Sequence, residues 1–302
     1  MYDLIVIGAG PAGITASVYA ARKKMNFLVI SKDIGGQAAG SGDIENYTGY
    51  QFITGPELAE KFEEHMHRYN VSVKENEAVT DLKKIDDAIL VTTDKAKFEA
   101  RTVIIASGKR TRDLNVPGEK QFKNKGLTYC ATCDAPLFSA KDVAVIGGGN
   151  SALDAALQLM NIAKHIYVIN ITAKLGTDAV MREKVEESKT VTVLNNTQVT
   201  AVIGDKMVNA IKVEREGREE TLPVKGVFVE IGLIPNSEFA KDIEKNQYGE
   251  IKVNFRNETN IHGIFAAGDV TDVPEKQIII AAGEGSKACL SAFRYLAERR
   301  FQ

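Results

Sequence analysis

Two cysteines, Cys130 and Cys133, are separated by two residues, a spacing that allows both sulfur atoms to lie on one turn and form a disulfide. A thiolate is the nucleophile in thiol–disulfide exchange, so such a pair can accept and pass on two electrons. A zinc half-site and a purely structural pair are the alternatives. A tetrahedral zinc site needs four ligands, and the three cysteines and four histidines of this chain include no second Cys-x-x-Cys and no Cys-x-x-His. The spacing therefore predicts a redox-active dithiol and no bound metal.

The remaining cysteine and a pair of histidines have simpler interpretations. Cys289 lies in an apolar helical pattern, which favours a buried packing residue over a third redox centre. His65 and His67 flank Met66 on a polar helical segment, and positions i and i+2 do not share a helix face. We expect both histidines on the surface.

The elements that would position the dithiol begin with a glycine-rich turn. This first dinucleotide fingerprint comprises Gly8, Gly10, Pro11, Ala12 and Gly13. It follows a strand predicted over 4–7 and precedes a helix predicted over 14–22, as the G-x-G-x-x-G motif requires. Glycines allow the tight turn and the approach of the backbone to a pyrophosphate, whose charge the helix N-terminus stabilises. An ordinary strand-to-helix turn is the alternative.

An acidic residue that binds a ribose hydroxyl is expected about 20 residues after such a fingerprint. Asp33, which follows a strand predicted over 27–30, is the candidate. It could equally be a solvated loop carboxylate.

A second fingerprint comprises Gly147, Gly149, Asn150 and Ser151. It follows a strand predicted over 143–146, and Ala152 occupies the position of the third glycine, which the motif tolerates. A helix predicted over 152–162 and a strand over 166–169 complete a right-handed βαβ unit. The chain is therefore predicted to contain two nucleotide-binding folds.

The chain has 302 residues, 44% of them hydrophobic, which is enough for two domains. An apolar strand that begins at residue 104 is followed by a segment with Gly108, Pro117 and Gly118, and a similar strand over 227–231 is followed by Pro235. The C-terminal segment then has a predicted strand over 263–268 and a predicted helix over 281–298. We predict an α/β protein with two Rossmann-like domains, the second inserted into the first. The first domain would comprise residues 1–113 and 246–302, and the second residues 114–245.

The net charge of -2, with no long Lys/Arg block, argues against a nucleic-acid partner. No apolar run approaches the ~20 residues of a membrane helix. The N-terminus enters a strand pattern with no basic leader segment or cleavage site. We expect a cytoplasmic protein without a membrane partner.

Nine short motifs are spread along nearly the whole chain: GAGPAG from Gly8, GGQ from Gly35, IENYTG from Ile44, VPGE from Val116, CATCDAPLF from Cys130, GGGNSA from Gly147, GLIPN from Gly232, FAAGDV from Phe265 and QIIIAAGEG from Gln277. With these motifs the chain resembles the low-molecular-weight thioredoxin reductases, and more closely the flavoprotein portion of alkyl hydroperoxide reductase F. Their order along the chain is that of the family.

The resemblance implies FAD in the first domain. It assigns Gly8, Gly10 and Gly13 to the pyrophosphate, Gly36, Gln37 and Asn46 to the flavin, and Asp269 to the ribitol. It also brings a helix N-terminus at Gln277 to the pyrimidine edge, where reduced flavin carries negative charge. A helix cap is the alternative for Asp269. The expected cofactor-binding set also includes Ala106, Gly268, Ile278, Ile279 and, in the second domain, Gly232.

For the dithiol, the resemblance makes Cys133 the sulfur next to the flavin and Cys130 the sulfur that attacks a partner's disulfide. Asp134 would be the acid/base that manages the thiol protons. A helix cap before Ala135 and Pro136 is a serious alternative for Asp134, because proline after an acid is also a helix-start pattern.

The alkyl hydroperoxide reductase F proteins carry an additional N-terminal domain with its own dithiol, whereas residue 1 here begins the first fold directly. We therefore expect a separate thioredoxin-like or glutaredoxin-like partner, with a peroxiredoxin system or ferredoxin as further candidates. The family also implies a homodimer and a second domain that rotates about crossings near Asn115 and Glu244.

The prediction of the electron donor rests on the residues that follow the second strand of the second fingerprint's βαβ unit. NADPH enzymes of this family carry a basic cluster there, whereas residues 170–176 contain no adjacent arginines to bind a 2'-phosphate. Asn170 occupies the position where NADH sites place an acid for the ribose, and is a weaker but possible partner. We predict NADH and disfavour NADPH. The alternatives are reduced ferredoxin or another flavin as donor, and an FAD-binding redox sensor without efficient turnover.

Overall fold

The computed structural model describes residues 1–41, 43–176 and 179–299. The chain forms two compact units, one built from residues 1–110 and the segment from 234 onward, the other from residues 111–233. The second unit is thus inserted into the first.

The α-helices among the described residues are α1 (Pro11–Arg22), α2 (Gly36–Ala39), α3 (Gly55–His67), α4 (Glu119–Phe122), α5 (Ala131–Asp134), α6 (Asn150–Leu159), α7 (Ala179–Glu186) and α8 (Ile278–Arg299). The strands are β1 (Tyr2–Ala9), β2 (Phe27–Ile34), β3 (Asp43–Ile44), β4 (Ile53–Thr54), β5 (Val73–Lys74), β6 (Val79–Ile85), β7 (Ala88–Thr93), β8 (Lys97–Ile105), β9 (Lys109–Thr111), β10 (Leu127–Thr128), β11 (Asp142–Ile146), β12 (His165–Ile169), β13 (Val191–Leu194), β14 (Thr197–Gly204), β15 (Val208–Arg215), β16 (Arg218–Pro223), β17 (Gly226–Val229), β18 (Leu233–Pro235) and β19 (Ile264–Ala266). Short 3-10 helices span Ala135–Phe138 and Gly268–Val270.

The first unit is organised around a sheet with strand order β5-β2-β1-β8-β7-β6, in which β19 also pairs with β8. β1, β2, β5, β8 and β19 pair in parallel, and β6 and β7 add antiparallel strands. Leu4 and Val6 pack on the face covered by α1 and α8, whereas Ile5 and Ile7 pack in the opposite layer. Because both faces are buried there, residues 4–7 of β1 form a continuous apolar run.

The second unit contains a parallel sheet with strand order β10-β17-β11-β12-β13 and an antiparallel sheet, β14-β15-β16. Val143 and Val145 of β11 pack in the layer that contains α6, and Ala144 and Ile146 pack towards the antiparallel strands. The α/β class with parallel Rossmann-like sheets, predicted from the sequence, is confirmed.

The crossings between the units lie earlier in the chain than the expected positions near Asn115 and Glu244. The segment after Leu233 belongs to the first unit because Ala240 and Ile243 are buried in the same apolar layer as Ile5. Among the described residues, no helix is both long enough and apolar enough to cross a membrane.

Candidate functional site: glycine cradles and a disulfide

The first fingerprint forms a glycine cradle, in which the backbone packs closely around Gly8 and Gly13 and leaves space at Gly10. A Cβ atom on Gly8 would collide with the carbonyl of Ala106, and one on Gly13 would collide with the carbonyl of Gly8. Gly10 differs, since the nearest atom to a Cβ there would be the Cα of Gly36, 3.9 Å away. The backbone can therefore come close to a bound diphosphate at Gly10 and Gly36.

Helix α1 begins at Pro11, three residues before the predicted start, and Ile14 N–H donates the first helical bond to the Gly10 carbonyl at 2.9 Å. Gly10 is the N-cap residue and has no side chain with which to cap the helix. The amides of Ala12 and Gly13 thus point out of the first turn, where they can bind an anion. This arrangement fits the pyrophosphate of a dinucleotide.

Two long-range hydrogen bonds bring the expected flavin-binding residues together in the first unit. Gln37 Nε2 donates to Asp269 Oδ2 at 3.4 Å, and Asn46 Nδ2 donates to Gln277 Oε1 at 3.1 Å. Burial raises the pKa of the half-buried Asp269, an effect opposed by the positive charge of Lys276. Gln37 directly follows Gly36, which lies next to Gly10 of the first fingerprint.

The start of α8 lies three residues earlier than predicted. Ala281 N–H donates to the Gln277 carbonyl at 2.9 Å, so the helix begins at Ile278 directly after Gln277. Ile278 packs against a small apolar cluster of the first unit, and Ile279 is exposed. Gly268 follows β19 and lies next to the first fingerprint, because a Cβ atom on Gly268 would be only 3.0 Å from the Cβ of Ala12.

A buried charged cluster next to Asp269 was missed by the sequence analysis. Lys109 pairs with Glu250, and Lys276 lies 3.3 Å from the same carboxylate. Lys276 Nζ also donates to the carbonyls of Thr271 and Val273, at 2.6 and 2.5 Å, which closes the loop before α8. No local pattern marks these residues, because they meet only in the folded unit.

Asp33 is not a loop residue, because β2 continues past the predicted end at residue 30 to Ile34. Its side chain is exposed. The buried residue at this point is Ser31, whose hydroxyl accepts from Ala9 N–H at 3.0 Å and donates to the Asp33 carbonyl at 2.6 Å. Ser31 thereby joins β1 to β2 next to the fingerprint, and a ribose role for Asp33 remains a prediction.

The second fingerprint repeats the cradle in the second unit. A Cβ on Gly147 would collide with the Glu230 carbonyl, whereas a Cβ on Gly149 would meet no atom of the described residues within 4 Å. Helix α6 begins at Asn150, earlier than the predicted Ala152, and both Asn150 and Ser151 are exposed. Its first turn is open to an anion. Gly232, which follows β17, is exposed, and its carbonyl accepts from Arg112 N–H at 3.2 Å.

Asn170 does not present a free group to a ribose. It is 2% exposed, and its Nδ2 donates to the Thr172 carbonyl at 3.1 Å and to Asn195 Oδ1 at 2.8 Å. Its Oδ1 accepts from the backbone N–H and the hydroxyl of Thr172, at 3.2 and 3.0 Å. The side chain is thus saturated by partners that shape its own loop, and a ribose role for Asn170 stays a prediction.

Cys130 and Cys133 form a disulfide with a Cα–Cα distance of 5.3 Å. Cys130 is the N-cap residue of the short helix α5, and its Sγ accepts from Cys133 N–H at 3.2 Å. Both cysteines are half-buried. An amide that points at Cys130 Sγ favours the thiolate of that sulfur over that of Cys133 once the bond is reduced.

Asp134 lies on the same turn as the disulfide. Its carboxylate accepts from the Thr128 hydroxyl, and the same hydroxyl accepts from Cys130 N–H at 3.2 Å. In the described part of the chain, Asp134 makes no side-chain cap to the 3-10 helix over Ala135–Phe138. The cap alternative is thus not supported, and the carboxylate is linked through Thr128 to the backbone of Cys130.

Two carboxylates that the sequence analysis did not single out hold the disulfide segment. Glu119, 3% exposed, accepts from Leu114 N–H, Asn115 N–H and the Tyr129 hydroxyl at 2.6, 2.8 and 2.8 Å. Burial and this bond raise the pKa of the Tyr129 phenol. In the sequence, Glu119 is only the last residue of the VPGE motif, and the motif does not indicate which groups hydrogen-bond to its carboxylate.

Glu230, directly after β17, is the second carboxylate. Its Oε1 accepts from Ala131 N–H at 3.3 Å, next to Cys130. Burial raises the pKa of Glu230 to about 7, the Ala131 amide opposes this, and the negative charge of Asp154 adds to it.

The simpler predictions are confirmed. Cys289 is fully buried, which raises the pKa of its thiol to about 12. His65 and His67 are exposed on α3, with Met66 buried between them.

Comparisons with known proteins agree with this arrangement. The chain is 43% identical over 298 residues to a protein named NADH dehydrogenase from Bacillus subtilis strain 168, a match that covers 98% of this chain and 58% of that protein. It is 42% identical over 299 residues to the alkyl hydroperoxide reductase F protein of Staphylococcus aureus strain MSSA476, covering 98% and 59%. The chain thus spans about three fifths of the length of these curated relatives.

Among solved structures, thioredoxin reductase from Streptococcus pyogenes MGAS5005 superposes with a TM-score of 0.94 at 36% identity, over 99% of both chains. Thioredoxin reductase from Giardia duodenalis gives a TM-score of 0.93 at 29% identity, over 98% of this chain and 99% of that one. These likenesses confirm the resemblance inferred from the motifs. Residues 2–285 match the family described as pyridine nucleotide-disulphide oxidoreductase, and the chain belongs to that family.

Proposed function

We propose that the chain is an FAD-dependent disulfide reductase that passes electrons from NADH to the Cys130–Cys133 disulfide and on to a thioredoxin-like or glutaredoxin-like protein. Members of its family bind FAD and a nicotinamide cofactor. The observation that carries the proposal is the disulfide itself, which occupies the same compact unit as the open second fingerprint. FAD, when bound, would supply the two-electron relay between nicotinamide and disulfide.

The chain's own residues fit distinct parts of this task. Gly8, Gly10 and Gly13 would hold the pyrophosphate of FAD, and the bonded pairs Gln37–Asp269 and Asn46–Gln277 would hold its ribitol and flavin. In the second unit, Gly147, Gly149, Asn150 and Ser151 would hold the diphosphate of the nicotinamide nucleotide.

At the disulfide, we assign Cys130 to attack on the partner and Cys133 to the flavin side. The amide of Cys133 supports negative charge on Cys130, as a nucleophile requires. Asp134, linked through Thr128 to the Cys130 backbone, would give a proton to the thiolate released at Cys133 and take it back.

Two observations bear on the donor. The name of the Bacillus relative supports NADH, and Lys174, in the loop after β12, is exposed and without an adjacent arginine to form a 2'-phosphate clamp. The saturated side chain of Asn170 favours a second candidate, the same disulfide reductase fed by reduced ferredoxin or another flavin, because the Asn170 oxygen already accepts two hydrogen bonds from Thr172.

The partner is inferred from the names of related proteins. Thioredoxin reductases and alkyl hydroperoxide reductase F suggest a thioredoxin-like protein or a peroxiredoxin system as the acceptor.

An anaerobic absorbance titration of the flavin-loaded protein tests the donor. NADH should bleach the flavin at concentrations where NADPH does not, and the reduced protein should then reduce a thioredoxin-like disulfide. Bleaching by dithionite but by neither nucleotide would refute the nicotinamide donor and favour the second candidate. Donor-driven bleaching without partner reduction would refute the disulfide relay.

A further inference from the structure

Glu230 joins the second fingerprint to the disulfide segment. Its backbone N–H donates to the Ile146 carbonyl at 2.8 Å, and its own carbonyl lies against Gly147. Its side chain extends the other way, to the amide of Ala131 at 3.3 Å. The backbone of Glu230 is therefore fixed by the nucleotide fold, while its carboxylate lies on the peptide group that follows Cys130.

Among the described residues, the charged side chain that acts on this carboxyl is itself acidic. Asp154, on α6, acts on it through space, and its own Oδ2 accepts from Gln158 Nε2 at 2.9 Å. Helix α5, whose Ala131 N–H bonds the carboxylate, contains Cys133 and Asp134 and has Cys130 as its N-cap residue. The strands that pair with β17 end there in Thr128 of β10 and Ile146 of β11, which carry no charge.

We propose that Glu230 is a positioning residue that takes up a proton when the Cys130–Cys133 disulfide is reduced, and that it thereby sets the protonation of Cys130. Two electrons break the S–S bond and two protons enter from solvent. One proton goes to Cys133, by way of Asp134, and the other goes to the Glu230 carboxylate. The products are a Cys133 thiol, a Cys130 thiolate and a neutral Glu230, so charge and atoms balance.

The physical reason is competition between two anions at one half-buried turn. A thiolate on Cys130 and a carboxylate on the amide of Ala131 each disfavour the charged form of the other. The carboxyl of Glu230 already titrates near neutrality in the disulfide form, so the added charge on Cys130 favours its protonation. The two groups then titrate as a coupled pair, in macroscopic steps that belong to both.

This inference rests on the proposed function only in taking Cys130 and Cys133 as the redox pair. Its test uses dithiothreitol as the reductant, so a failure to react with NADH or with a partner protein would leave the test unaffected.

The experiment measures alkylation of Cys130 by iodoacetamide in the full chain, reduced and then freed of dithiothreitol under anaerobic conditions. Peptide mass spectrometry follows the Cys130 rate between about pH 5 and pH 9, in wild type, in Glu230→Gln and in Asp154→Asn. Glutamine keeps an oxygen for the Ala131 amide and removes the charge. Asp154→Asn is the matched control, because it removes a nearby charge without touching the disulfide segment.

In wild type we expect two inflections in the rate profile. In Glu230→Gln we expect one, with alkylation near pH 6 faster by roughly tenfold, since a fall of one unit in the thiol pKa multiplies the thiolate fraction by about ten. Asp154→Asn should keep both inflections and move the Glu230 step to lower pH.

Superimposed profiles for wild type and Glu230→Gln would overturn the proposal. So would profiles that differ by one constant factor at every pH, since a purely structural role gives that result. If Glu230→Gln does not fold, the proposal is tested on the wild type by the infrared difference spectrum between its reduced and oxidised forms at neutral pH. The gain of a protonated carboxyl band on reduction supports the proposal, and its absence overturns it.

Discussion

Replacing Glu119 by glutamine should loosen the segment that carries the disulfide. The carboxylate is 3% exposed and accepts three hydrogen bonds, two at Oε1 from Leu114 N–H and the Tyr129 hydroxyl, and one at Oε2 from Asn115 N–H. A glutamine can present its oxygen to one of these positions only. Its NH2 group would then face a backbone N–H or the pair of donors at the other.

The cost follows from these contacts. With the glutamine oxygen at the Oε1 position, one hydrogen bond to a charged acceptor is lost, a contribution of about 1.5–3 kcal/mol, and the other two lose their charge assistance. We expect a loss of about 2–4 kcal/mol in the free energy of unfolding of the second unit. At roughly 2–4 °C per kcal/mol, its unfolding midpoint should fall by roughly 4–16 °C.

The assay is thermal unfolding followed by circular dichroism, with Tyr129→Phe as the matched variant. Tyr129→Phe removes one of the same three bonds and leaves the carboxylate on its two amides, so its effect should be smaller. The double variant should lose less than the sum of the two single variants, because both remove the same bond. A midpoint for Glu119→Gln within the error of wild type would refute the reasoning.

Four further predictions concern the site itself. Cys133→Ser should leave bleaching of the flavin by the donor intact and abolish partner reduction; if partner reduction persisted in a steady-state assay, the assigned relay would be wrong. Asp134→Asn should lower the rate of partner reduction by roughly 10²–10⁴, as expected for loss of a general acid/base, and flatten its pH profile. Gly13→Ala places a methyl group against the Gly8 carbonyl and should reduce the ratio of flavin to protein absorbance after purification. Gly49→Ala is its control: the backbone φ there is +114°, but a Cβ would meet no atom of the described residues within 4 Å, so this variant should keep more flavin. Cys289, its pKa raised to about 12 by burial, should stay a neutral thiol up to pH 9 and react with Ellman's reagent only on unfolding; reaction in the folded protein would contradict its burial.

Local patterns determined the fold class and the position of the chemistry. A strand, a glycine turn and a helix must follow one another within about 20 residues in a βαβ unit, so the two fingerprints were visible without any contact information. The Cys-x-x-Cys spacing is equally local, because a disulfide across two residues needs a single turn. The identity of the family followed from the same short motifs, and the comparisons confirmed it.

The tertiary structure decided which polar groups face one another. Gln37 meets Asp269, and Ala131 meets Glu230, across separations of 232 and 99 residues that no local pattern can indicate. It also decided which polar groups are already occupied: Asn170 stands where a ribose acceptor is expected, yet Thr172 and Asn195 use all its hydrogen-bonding capacity. A sequence specifies the donors and acceptors available to the chain, but each side chain's partners depend on which segments the packed core brings within hydrogen-bonding distance.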